Sequence, residues 1–94
     1  MEVKKEYFEI KSKNGAFGLA GYFKTEAEAL DEINRSHRVA VERGYDGHEE
    51  WAIYCVQFER LFSDDGILLR EETVRFYSHS VSFDEYENKY VFSV

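Results

Sequence analysis

The sequence predicts an α+β fold, in which one helix packs on one face of a mainly antiparallel sheet of four or five strands. Three observations predict it: an Asn-Gly turn between two apolar-alternating stretches, one long helical pattern, and two later runs rich in aromatic and β-branched residues. The expected order is β-β-α-β-β, with an extra C-terminal strand. The 94-residue chain has no proline and no linker, so residues 1–94 are expected to form a single small domain.

The first two strands are predicted around Asn14-Gly15. Both central residues of a type I′ hairpin turn need positive φ, which Asn and Gly tolerate. Closing the turn at this point gives three cross-strand pairs, Ile10–Leu19, Ser12–Phe17 and Phe8–Gly21. Because side chains alternate between the faces of a sheet, Tyr7 and Tyr22 are expected to be neighbours on the face away from the helix.

The glycines of this region also raise the question of a phosphate-binding loop. Gly15, Gly18 and Gly21 follow a GxxGxxG pattern, and two aromatic residues separate Gly21 from Lys24. A Walker loop requires Lys directly after its last glycine, and a dinucleotide fingerprint requires GxGxxG. The pattern therefore favours a hairpin over a nucleotide site.

A helix is predicted over residues 26–43. Thr25 and Glu28 have the spacing of a capping box, and Gly44 follows the last turn as a C′ residue would. One stripe of helically spaced residues is expected to face the sheet, made of Leu30, Ile33, His37, Ala40 and Val41.

The C-terminal half is predicted to begin with a hairpin. Residues 51–62 (WAIYCVQFERLF) and 67–81 read as strands joined by the turn sequence SDDG. Their register stays open, because loops with an even and with an odd number of residues turn different sets of side chains toward the core. The tail has two alternatives: a short helix capped by Ser82 and Glu85, or, as favoured, a loop over 83–89 and a final strand in YVFSV.

Charge limits the classes of function. The net charge is −7, and residues 26–50 carry eight acidic residues against three Arg. An acidic surface repels nucleic-acid phosphates, so it argues against direct nucleic-acid binding. The simplest role of these charges is to keep the protein soluble. A single cysteine excludes an internal disulfide, no signal peptide begins the chain, and no apolar stretch reaches the roughly 18 residues of a membrane span. A soluble cytoplasmic protein is expected, with no membrane partner.

Residues suited to catalysis do not occur at recognisable spacings. His and Cys residues lack zinc-site spacing, and acidic doublets on strands point to opposite faces. Neither a metal, nor a cofactor, nor catalytic residues are expected. An enzyme stays open as an alternative only if the fold brings His37, Cys55 and an acid into one cleft.

The favoured function is a small non-enzymatic protein-interaction domain, acting as an inhibitor or adaptor on a basic partner, with a homodimer as a further expectation. Aromatic rings would anchor the contact and carboxylates would steer the partner. The candidate partner-binding residues are Tyr7, Tyr22, Glu28, Asp31, Glu32 and Glu42. The alternative is a small-ligand pocket between helix and sheet, near His37 and Tyr54.

Overall fold

The computed structural model describes residues 1–13, 18–45 and 47–93. The predicted Asn14-Gly15 turn and the Ser12–Phe17 pair involve residues outside this described part. The elements are β1 (Glu2–Ser12), β2 (Gly18–Phe23), α1 (Glu26–Glu42), β3 (Trp51–Phe62), β4 (Leu68–Asp84) and β5 (Lys89–Phe92). The prediction of a small α+β fold with one helix and an antiparallel sheet is confirmed for the described residues.

The five strands form one sheet in the order β2-β1-β3-β4-β5, and each neighbouring pair is antiparallel. β1, β3 and β4 extend well beyond β2 and β5, which gives a particle measuring 55 × 28 × 21 Å. Within the described residues, no helix is long and apolar enough to span a membrane.

The pairing of β1 with β2 is partly as predicted. Ile10 lies opposite Leu19, but Phe8 lies opposite Phe23 and not opposite Gly21, so the predicted Phe8–Gly21 pair is wrong. A bulge between Phe8 and Ile10 shifts the register, and Gly21 sits next to it with φ of +121°. Glycine permits this backbone conformation because it has no Cβ.

Local interactions determine both ends of α1. The Thr25 Oγ1 atom accepts a hydrogen bond from the Glu28 amide at 3.1 Å, and Glu28 Oε2 accepts from the Lys24 amide at 3.0 Å. At the other end, the Gly44 amide donates to the Val41 carbonyl, and Gly44 has φ of +89°. The helix ends at Glu42 with Arg43 as its C-cap, in agreement with the predicted end at about residue 43.

The β3–β4 register, which the sequence leaves open, places Val56 opposite Arg75 and Tyr54 opposite Tyr77. Two irregularities interrupt the pairing, one between Ile53 and Tyr54 and one near the hairpin turn. The first of them leaves Ser78 as an extra residue in β4.

The C-terminal tail is a strand and not a helix. β4 continues to Asp84, whose Oδ1 accepts from the amides of Tyr86 and Glu87 at 2.9 and 3.3 Å, and so forms a tight turn. The chain then returns as β5, with Tyr90 opposite Phe83. The predicted 83–89 loop is shorter than expected because β4 runs into it.

α1 lies on one face of the sheet. Its buried residues Ala29 and Ile33 meet Ile10, Ile53 and Val81 in the core. Several partly buried apolar side chains pack around this cluster, namely Phe8, Leu19, Phe23, Leu30, Phe83 and Phe92.

Candidate functional site

The sheet face away from α1 carries four tyrosines, one from each of four neighbouring strands. They are Tyr22 (β2), Tyr7 (β1), Tyr54 (β3) and Tyr77 (β4). We call this surface the tyrosine face. The rings of Tyr7 and Tyr22 meet edge to face with centroids 4.5 Å apart, and those of Tyr54 and Tyr77 do so at 6.1 Å.

The tyrosine face has a small apolar base of its own. Val56 is fully buried, although strand alternation places it on the opposite side of the sheet from the Ile53 core. The Arg75 Nε atom, on β4, reaches across β3 to Glu9 Oε1 on β1 at 2.8 Å. This ion pair lies beside Val56, because Val56 is the β3 residue opposite Arg75.

The outer tyrosines of this row are open to solvent. Tyr22 is 74% exposed and Tyr77 is 59% exposed. The predicted contact of Tyr7 with Tyr22 is confirmed. The contact between Tyr54 and Tyr77 depends on the register of the β3–β4 hairpin, which no local signal in the sequence determines.

The four candidate carboxylates lie elsewhere. Glu28, Asp31 and Glu42 are exposed on the outer side of α1, away from the buried Ala29 and Ile33, and Glu32 lies half-buried at the flank of this side. The sheet therefore separates them from Tyr7 and Tyr22, so the six predicted partner-binding residues do not form one surface.

Arginines also lie on this outer helix side. Arg35 forms an ion pair with Glu32, and the hydrogen bond from Arg35 lowers the pKa of Glu32 below its ordinary value. Arg38 projects from the helix one turn beyond Arg35, at a solvent-exposed position. The helix surface is thus less acidic than its carboxylates alone would make it.

A cavity of about 300 Å³ lies between α1, the segment that follows it, and the sheet. Its lining includes His37, Leu19, Ile33, Trp51 and Tyr90. It is the place where the sequence predicted a ligand pocket, and His37 does line it.

Tyr54, the second residue predicted for that pocket, is not among the residues that line it. It contacts Tyr77 on the tyrosine face, because strand alternation turns it away from the buried Ile53. The structure therefore does not bring Tyr54 and His37 together.

His37 lies in an aromatic cluster. Its ring centroid is 5.4 Å from that of His48, 5.0 Å from Phe83 and 5.3 Å from Tyr90. His48 in turn stacks on Phe83 at 3.7 Å. Burial lowers the pKa of His37, and the nearby His48 lowers it further.

Cys55 occupies a different part of the helix-covered face. Burial raises the pKa of its thiol, and so do the carboxylates of Glu6 and Glu26. Glu26 also contacts the Nδ1 atom of His79. A raised thiol pKa opposes a nucleophilic role, since the thiolate is the reactive form.

The catalytic alternative needs His37 near Cys55 and an acid. One acid that raises the pKa of Cys55, Glu26, precedes His37 by eleven positions in α1, or roughly 16 Å along the helix axis. In the described part of the chain, no group of three or more His, Cys, Asp or Glu side chains is arranged to hold a metal ion.

The chain matches no protein-family model, and comparison with curated proteins and with solved structures gives no significant match.

Proposed function

We propose that this protein is a non-enzymatic protein-interaction domain and that the tyrosine face is its contact surface. The observation that carries the proposal is the row of tyrosines on four adjacent strands, with Tyr22 and Tyr77 mostly exposed. Tyrosine is enriched in the centres of protein interfaces because its ring gives a large contact area at small entropic cost.

The base of the tyrosine face supports this role. Val56 is buried beneath the row, and the Arg75–Glu9 ion pair crosses β3 beside it. Side chains held in this way lose less conformational freedom on binding than loose ones, so they favour affinity.

The charges on the tyrosine face indicate the chemistry of the partner. Lys5, Lys11, Arg60 and Arg75 share this face with two carboxylates, those of Glu9, only 13% exposed, and Glu71. Arg75 and Lys11 pair with Glu9 and Arg60 pairs with Glu71, so four basic side chains against two acids leave the face with a positive excess. A protein segment carrying carboxylates suits this face best.

A basic partner fits the outer side of α1 instead, where Glu28, Asp31 and Glu42 are exposed. Affinity for such a partner would fall as salt is added, because exposed charges are screened. An affinity that does not respond to salt would count against the use of this helix surface.

Photo-crosslinking tests the tyrosine face directly. Tyr22→p-benzoylphenylalanine is expected to form a crosslinked product in lysate of the native host, and excess unlabelled wild-type protein should abolish it.

The Tyr22→Ser/Tyr54→Ser variant should compete for this crosslink at least tenfold less well than the wild-type protein, provided that circular dichroism shows the variant folded. The matched control is Tyr86, fully exposed in the β4–β5 turn: a probe there should give no such product. Equal competition by the double variant would refute the proposal.

A small-ligand function is the second candidate, and the cavity beside His37 favours it. Ala40 also lines this cavity, so Ala40→Leu would fill part of it. A metabolite that raises the melting temperature of the wild-type protein but not of Ala40→Leu would support this function. A library that shifts neither protein would count against it.

A further inference from the structure

The outer edge of β4 is a long strand edge without a neighbour in the described part of the chain. β4 pairs with β3 along most of its length, but β5 covers it only from Ser80 to Asp84. Between the irregularities at Leu69 and Ser78, the residues from Arg70 to Tyr77 form a regular edge. Such an edge presents unpaired backbone N–H and C=O groups that can pair with another chain.

The direction of these backbone groups follows from the register. The backbone N–H and C=O groups of Phe62 both bond to Met1, which directly precedes β1. Because backbone groups alternate along a strand, those of the even-numbered β3 residues point toward β1, and those of the odd-numbered residues point toward β4. The β4 partners of those odd residues are even, for example Val74 opposite Gln57. Thr73 and the odd residues beside it therefore direct their N–H and C=O groups outward.

The edge carries three large apolar side chains that are exposed. Val74 is 46% exposed, Phe76 is 50% and Tyr77 is 59%. Edges that remain free are commonly protected by charged residues, above all lysine, by proline or by bulges. The regular part of this one contains neither lysine nor proline, and its charges cancel, with Arg70 and Arg75 against Glu71 and Glu72.

We propose that this edge pairs antiparallel with the same edge of a second copy, with Thr73 of each chain at the twofold axis. In a symmetric antiparallel pairing, residues that lie directly opposite each other point to the same face of the sheet. The twofold axis must therefore pass beside a single residue, which lies opposite its own copy and forms the centre of the pairing. Centring on Thr73 puts Glu71 opposite Arg75 of the other copy, twice by symmetry. It also places Arg70 opposite Phe76 and Glu72 opposite Val74.

The neighbouring registers fit less well. Centres at Glu71, Glu72 or Arg75 place two like charges directly opposite each other, which destabilises a sheet. A centre at Val74 leaves Glu71 opposite Tyr77, without a charge partner. Among the centres in the regular segment, Thr73 is thus the one that places residues of opposite charge, Glu71 and Arg75, directly across from each other.

The pairing has a consequence for the shape of the assembly. Its twofold axis is perpendicular to the sheet, so the two sheets join into one of ten strands, and both tyrosine faces lie on the same side. The dimer would present its partner-binding surface twice. This pairing depends on the β4 edge alone and not on the proposed function.

Disulfide trapping reads out both the pairing and its register. In a Cys55→Ser background, chains carrying Glu72→Cys and chains carrying Val74→Cys are oxidised separately and as a mixture. These two positions are directly opposite in a non-hydrogen-bonded pair, where Cβ atoms are about 4.5–5.5 Å apart. We expect a covalent dimer in the mixture, and at least tenfold less in either variant alone.

Each other outcome contradicts the proposal. A covalent dimer from Val74→Cys alone or Glu72→Cys alone would show a different register. No covalent dimer, together with wild-type sedimentation as a monomer up to several hundred micromolar, would show that the edge does not pair.

Charge removal supplies an independent check in the otherwise wild-type chain. Glu71→Gln should weaken the dimer about fivefold, because it removes the charge opposite Arg75, whereas Glu72→Gln, at a position opposite Val74, should leave the dimer nearly unchanged. Equal weakening by the two substitutions would contradict the Thr73 centre. Tyr22→Ser should leave the dimer intact, so loss of partner binding and loss of dimerisation are distinguishable.

Discussion

Asn34 on α1 pairs with both backbone groups of Tyr90 on β5. Its Nδ2 donates to the Tyr90 carbonyl at 3.0 Å, and the Tyr90 amide donates to its Oδ1 at 2.7 Å. A side-chain amide thus takes the place of a neighbouring strand. It closes the outer edge of β5 at this residue and attaches the helix to the sheet.

Loss of this side chain should destabilise the fold. Asn34→Leu removes two partly buried hydrogen bonds and leaves the Tyr90 groups unsatisfied, so we expect the free energy of unfolding to fall by about 2 kcal/mol. Urea denaturation measures the change. Asp31→Asn, on the exposed side of the same helix, is the control and should change stability by less than about 0.5 kcal/mol. Equal effects of the two substitutions would show that the Asn34 contact is unimportant.

Val56 should matter to stability even though it is remote from the helix-covered core. Val56→Ala removes two buried carbons and leaves a cavity beneath the tyrosine face, for an expected loss of about 2 kcal/mol. Val74→Ala, on an exposed stretch of β4, is the matched control and should cost much less. If both variants unfold at the same urea concentration, the tyrosine face has no packed base.

Acid should weaken the fold through His37. Burial and the charge of His48 lower the pKa of His37 in the folded protein, whereas the unfolded chain titrates near the ordinary histidine value of about 6.5. The unfolded state therefore binds more protons as pH falls through that value, so stability is present above it and decreases below it. Tyr45, Glu49 and Tyr90 are the other titratable groups beside the cavity.

Urea unfolding at pH 7.5 and pH 5 measures this dependence. His37→Gln should flatten it. His48→Gln should reduce it in part, because burial is the larger cause of the lowered pKa. The same pH dependence in His37→Gln as in the wild-type protein would contradict the assignment.

Cys55 should react slowly with alkylating reagents. Burial and the carboxylate of Glu6 raise the pKa of its thiol, which reduces the thiolate fraction at pH 8. Glu6→Gln should therefore increase the rate of carboxamidomethylation, measured by mass spectrometry. Glu2→Gln, near the start of the same strand, serves as the control. A rate unchanged by Glu6→Gln would show that the Glu6 carboxylate does not protect the thiol.

Short-range patterns in the sequence predicted the fold class and the local elements. The start of α1 at Thr25, its end before Gly44 and the Ile10–Leu19 pair all depend on residues close together in the chain. The contact of Tyr7 with Tyr22 followed from the same short hairpin. Such features are determined by sequence because capping, helical spacing and strand alternation act over a few residues.

Only the tertiary structure decided what lies side by side across longer distances. The bulge at Gly21, the β3–β4 register and the Asn34–Tyr90 contact each depend on chain segments whose relative position no local signal specifies. Tyr54 points away from the predicted pocket for this reason, since a shift of one residue reverses the face of every side chain in a strand. The sequence alone thus determined the elements and their capping, whereas packing of the whole chain determined the tyrosine face.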